Sequence, residues 1–228
     1  MTPEEYAEKA QAFIDKMKAC LSSCFPNSPE LSDPFVNGEM MRAAAKLTVE
    51  LTSQNNRQQV GELEVSYRLG LDRTENYLKV EKSQFVIKAV RGKKRPAVIR
   101  FEYEHNKRNA PSSHIHVHSD TAGLGIILHT NGKTDASLSQ QDLHYPTGGH
   151  RFRVCLEDVI QFVIVELGFV PKEGWEKVVE EGREAYRQKQ AEAVIRQNHQ
   201  QAAATLRSLG YSVVGGPGAA IPGPLNDW

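Results

Sequence analysis

The segment His114-Ile115-His116-Val117-His118 alternates imidazoles with branched aliphatic side chains. In an extended chain successive side chains point to opposite faces, so the three imidazoles share one side and Ile115 and Val117 the other. Imidazole ligates divalent metals and exchanges protons near neutral pH, and a neighbouring carboxylate fixes its tautomer. Of the eight histidines, His105, His114, His116, His118, His129, His144 and His150 fall in one short stretch, and only His199 lies elsewhere. A second division precedes the histidines, with Ile99, Phe101 and Tyr103 on one side and Arg100, Glu102 and Glu104 on the other. If residues 107–113 turn the chain back, the polar sides coincide and bring three imidazoles against two carboxylates and a guanidinium.

Such a surface supports three readings. In the first, His114, His116 and Glu102 converge on a divalent metal ion, which strand neighbours two residues apart can do. The spacing is similar to the His-x-His of cupin barrels, although Asp120 comes too early for their following carboxylate. In the second, His114, His116, His118 and His150 work as acid and base around a phosphate without a metal. Arg100, Arg151 and Arg153 would then hold the anion, with the freed backbone N–H groups of Gly148 and Gly149 before a helix N-terminus. In the third, the histidines form a solvated strand face and the charges make surface ion pairs of little energetic weight.

The elements that must position these groups are readable to different degrees. Tyr6, Ala10, Phe13, Met17, Leu21 and Cys24 recur every three or four residues and predict a helix over 3–24. Residues 25–37 carry Pro26, Pro29 and Pro34 among turn formers and read as a linker. Residues 40–51 fit a helix or a strand equally. From Val60 the period is two, and strands are predicted over 60–69, 77–80, 84–90, 97–105 and 114–119, joined by short turns that favour antiparallel neighbours. Asn131-Gly132 after Ile126-Ile127-Leu128 predicts a small hairpin or loop. Leu156, Val159, Ile160, Val163, Ile164 and Leu167 predict a helix stopped by Gly168, and residues 173–209 a long helix with a break at Asn198-His199. The expected fold is α+β: an antiparallel sheet of about five or six strands over residues 60–130, covered by helices from both ends of the chain. The expected organisation is an N-terminal helix and linker over 1–37, one domain over 38–212, and a glycine- and proline-rich tail over 213–228.

Apolar residues make up 39% and charged residues 25% of the 228, as in globular domains rather than disordered chains. Lys plus Arg equals Asp plus Glu at 28 each, which gives no overall field toward nucleic acid or an anionic membrane. Between Val86 and Pro111, however, Lys88, Arg91, Lys93, Lys94, Arg95, Arg100, Lys107 and Arg108 outnumber Glu102 and Glu104. No signal-like N-terminus and no membrane-length apolar run is present, so the expected setting is cytoplasmic. Cys20, Cys24 and Cys155 are too few for a disulfide framework and read as reduced, partly buried thiols.

Three strings, Leu71 to Glu81, Ser113 to His118, and His144 to Arg153 with Leu156-Glu157-Asp158, together resemble an uncharacterised bacterial protein family of about this length, over residues 60 to 210. That resemblance implies a bacterial cytoplasmic protein and assigns no residue a role. The Arg100-Phe101-Glu102-Tyr103 strand followed by His-x-His is similar to small toxin-like proteins of toxin-antitoxin and phage-defence loci. The combined expectation is a histidine-dependent enzyme acting on a phosphate-bearing substrate, RNA or a nucleotide, as a nuclease would. The alternative is a non-catalytic module that engages a protein partner through helix 173–209 and the tail.

Overall fold

In the computed structural model, which describes residues 1–72, 74–105, 112–118, 121–132 and 153–215, the chain opens with helix α1 (Pro3–Cys24). Its start is encoded by Thr2, whose hydroxyl accepts from the Glu5 amide at 3.2 Å while the Thr2 amide donates to the Glu5 carboxylate at 2.9 Å. Pro3 follows at the first helical position, where its missing N–H costs nothing. The buried stripe is Tyr6, Ala10, Ile14, Met17, Cys20, Leu21 and Cys24, and it lies against the sheet.

Six strands form one antiparallel sheet in chain order: β1 (Glu30–Asn37), β2 (Arg42–Thr52), β3 (Gln59–Leu71), β4 (Leu78–Ala89), β5 (Ala97–Glu104) and β6 (Ser113–Val117). The α+β expectation holds, but the sheet begins at residue 30 rather than 60. The segment read as a linker contains β1, because an edge strand tolerates proline: the register slips between Ser32 and Phe35, where Asp33 has φ 49° and Pro34 follows. The ambiguous Arg42–Thr52 segment is a strand because its small residues alternate between buried and half-exposed, and it pairs with β3 over nearly its whole length. The two predicted strands at 77–80 and 84–90 are one strand, β4.

One face of this sheet carries Leu47, Val49, Leu63, Val65, Phe85, Ile87, Ile99 and Phe101, all buried. Over it pack α1, α2 (Thr121–Thr130), α3 (Leu156–Val165) and α4 (Trp175–Gln197), through side chains such as Ile127, Val159, Val163 and Val179. Phe101 meets Phe162 edge to face at 6.0 Å. Helix α5 (His199–Ser208) follows the predicted break and buries nothing. The hairpin expected near Asn131-Gly132 is instead the end of α2. Leu124, Ile127 and Leu128 lie one helical turn apart toward the core, and Asn131 bonds back to the Ile127 carbonyl while its own oxygen accepts from Gln54. Gly132, at φ 72°, supplies the left-handed stop that the same dipeptide would supply in a hairpin. Among the described residues no helix is long and apolar enough to cross a membrane.

Candidate metal centre

Strand register decides which polar residues meet. Arg100 pairs with His116 and Glu102 with His114 across β5 and β6, while Gln84 pairs with Glu102 across β4 and β5. The alternation that sends Phe101 and Ile115 into the core therefore sends Glu102, His114, His116, Arg100 and Gln84 to the opposite face. The antiparallel pairing expected from the two polar sides is present.

Glu102 stands at the centre. Its Oε1 accepts from Gln84 Nε2 at 2.6 Å and lies 3.3 Å from Arg100 Nε. Its Oε2 lies 3.3 Å from His114 Nε2 and 3.7 Å from His116 Nε2. The two imidazole rings meet edge to face, with centroids 4.8 Å apart. One nitrogen from each ring and one carboxylate oxygen thus fall within 4.8 Å of one another. Ligands about 2.05 Å from a tetrahedral ion are separated by roughly 3.3 Å, so the two nitrogen–oxygen edges, at 3.3 and 3.7 Å, are close to those of a coordination face. Glu102 and His114 are nearly closed to solvent, with side chains 10% and 12% exposed, while His116 is 44% exposed and opens the site on one side.

Charge follows the same layout. Burial raises the Glu102 pKa, but the Gln84 hydrogen bond and the positive influence of Arg100, His116 and His114 outweigh it, and the carboxyl is held below the usual range. Desolvation lowers the His116 pKa, and Arg100 and the other histidines add to this against the pull of Glu102. A neutral imidazole beside an ionised carboxylate is the protonation state in which both act as ligands.

The remaining predicted residues separate. His118 lies just past the end of β6, its amide donating to the Val98 carbonyl at 2.9 Å. Its Nε2 is buried and has no hydrogen-bond partner among the described residues. Arg153 does not join the histidines: its guanidinium stacks 3.9 Å over the ring of Tyr103, which alternates with Glu102 and so belongs to the helix-covered face. Tyr186 closes on Arg153 from α4, its hydroxyl donating to the Arg153 carbonyl at 3.3 Å. Gly148, Gly149, His150 and Arg151 lie outside the described residues. Glu104 pairs with Lys82 and Arg68, at 3.5 and 3.9 Å.

Gln84 is the residue of the candidate site that the sequence pattern did not reveal. It sits in a strand that was legible, but only the register of β4 on β5 places it opposite Glu102. The surrounding polar face is also more ordered than isolated surface charges: Glu64 is held by Lys46 at 2.7 Å and by Lys88 at 2.6 Å. No protein-family model matches the chain, and neither a curated protein nor a solved structure matches it.

Proposed function

We propose that Glu102, His114 and His116 hold a divalent transition-metal ion and form the centre of a metal-dependent hydrolytic enzyme. The observation that carries this is the convergence of two imidazole nitrogens on one carboxylate oxygen at 3.3 and 3.7 Å, with the second oxygen already engaged by Gln84. Two imidazoles and a carboxylate are a donor set used by zinc and by non-haem iron, and three protein ligands leave a position open for a reactant. Such an ion, when bound, acts as a Lewis acid and lowers the pKa of water. The chain's own part is to aim the donors: Gln84 and Arg100 fix the Glu102 carboxylate, the closed environment of His114 holds one ring still, and the exposed edge of His116 is the way in.

The test is elemental analysis of protein purified from metal-supplemented medium, beside His114→Ala and Glu102→Gln, with hydrolysis of model phosphoesters and RNA followed in parallel. About one equivalent of metal in the natural chain, lost in both variants together with any activity, is expected. Equal metal content in all three proteins would overturn the proposal.

A further inference from the structure

Helices α4 and α5 carry helix-forming sequence on both sides of a break one residue wide. Ala193, Arg196 and Gln197 precede Asn198, and Gln200, Ala202 and Ala203 follow it. The bonds at either flank are those of a single helix. The Asn198 amide donates to the Val194 carbonyl at 2.9 Å, and the Ala202 amide donates to the Asn198 carbonyl at 2.9 Å. What interrupts the helix is the Asn198 backbone, at φ −130° and ψ 42°. In a continuous helix the amides of Gln200 and Gln201 would bond the carbonyls of Arg196 and Gln197. Across the bend neither amide meets a backbone carbonyl among the described residues, and Asn198 does not cap them with its side chain. Its side-chain amide turns the other way and donates to the Val194 carbonyl at 3.1 Å.

Among the described residues, little holds the angle from outside. No side chain of α5 is buried, and the hydrogen bonds of Thr205, Arg207 and Ser208 stay within residues 201–213. By contrast α4 is anchored along its length. Val179 is buried, Arg183 bonds Asp158 at 2.8 Å, and the Arg196 guanidinium lies 4.6 Å over the ring of Tyr77. A fixed arm therefore ends at residue 197 and an unburied one begins at residue 199. The bend rests on the local hydrogen bonding of one asparagine, a residue whose side chain competes with helix, and straightening would restore the two missing helical bonds. These effects are small and opposed.

We propose that Asn198 is an elbow with two states, one bent and one in which α4 and α5 run on as a single helix. The states differ in what they present to solvent. Ile195, Leu206 and Leu209 are exposed. In a continuous helix of 3.6 residues per turn these three and Ala202 fall within about 60° of one another, on one side of the rod. The bend divides that stripe between two axes. The elbow thus makes or breaks a continuous apolar stripe without disturbing the core.

Pulsed electron resonance between two nitroxides on the full chain measures the joint directly. The labels go on Gln188→Cys and Ala204→Cys, at exposed positions, while Cys20, Cys24 and Cys155 are buried and stay unlabelled in the folded protein. The continuous helix would separate the two Cα atoms by about 24 Å, and a bend brings them closer. The labelled chain should show two populations, one near this distance and one shorter. Asn198→Ala, which removes the competing side chain and favours helix, should raise the long population about 3-fold or more. His199→Pro should abolish it, because proline is tolerated at the first position of α5 but inside a continuous helix its ring strikes the Ile195 carbonyl. All three proteins should melt together, since α5 contributes nothing to the core. A single short distance unmoved by Asn198→Ala would mean a rigid bend and overturn the proposal. So would a single long distance in the labelled chain, a long population that survives His199→Pro, or a shifted melting temperature that ties the joint to the core.

Discussion

Glu102 uses both oxygens, one for Gln84 and Arg100 and one for the two imidazoles. The side of the carboxylate away from the imidazoles therefore decides how well the other side is aimed. Gln84→Leu should leave the fold intact and weaken metal binding by about 10- to 100-fold, read by competition with a chromophoric chelator. Unchanged affinity would mean that the hydrogen bond from Gln84 does no orienting. A neighbouring carboxylate reports on stability instead. Burial raises the Glu64 pKa, but hydrogen bonds and charge from Lys46 and Lys88 more than offset it, so the folded value lies below the ordinary 4.5. A lowered folded pKa gives stability that is present above the unfolded value and disappears as pH falls through the folded one. Glu64→Gln should therefore lose less stability than the natural chain between about pH 5 and the acid limit. Parallel urea midpoints for the two proteins across that range would contradict this.

At the scale of elements, alternation made β3, β5 and β6 legible, because Phe101 and Ile115 can face the core only if Glu102 and His114 face the opposite side. It also put the candidate ligands on one side before any contact was known. Pairing partners were not legible: nothing in Gln84 itself announces that it faces Glu102. Proline hid β1, whose edge position makes its missing N–H harmless, and Gly123 and Gly125 hid α2, whose helical form is imposed by packing. Gly123 sits where an added Cβ would lie 3.4 Å from Val98 and 3.8 Å from Ala89, at ordinary contact distance, so alanine would fit there. Gly182, inside α4, leaves no such room. A Cβ there would lie 2.5 Å from the Oε1 of Glu157, which is 4% exposed. Alanine would ordinarily stabilise a helix interior by about 1 kcal/mol over glycine. Gly182→Ala should instead destabilise by about 1–3 kcal/mol, and adding Glu157→Ala should reverse most of that coupling in a double-mutant cycle. A more stable single variant would show that Glu157 swings aside without cost.

For the molecule as a whole, the polar sheet face and the helical layer are stabilised separately. The first is joined by ion pairs and hydrogen bonds; the second holds the apolar core, to which α1 contributes Ile14, Met17 and Leu21. Each such side chain is worth about 1.5–3 kcal/mol when buried, against a total of about 5–15 kcal/mol for a domain. The N-terminal helix is thus part of the same cooperative unit. A chain lacking residues 1–24 should show no sharp thermal transition by circular dichroism, whereas Leu206→Ser with Leu209→Ser, at side chains 42% and 68% exposed, should melt within about 2 °C of the natural chain. The position of β6 has a last consequence. Among the described residues it is an edge strand only five residues long, hydrogen-bonded to β5 alone, and it carries two of the three candidate ligands while its neighbour carries the third. An ion held there acts as a clasp on a fraying margin. Metal loading should accordingly slow amide hydrogen exchange along 113–117 and its β5 partners far more than in β1, so that the sheet's weakest rim becomes a gauge of occupancy.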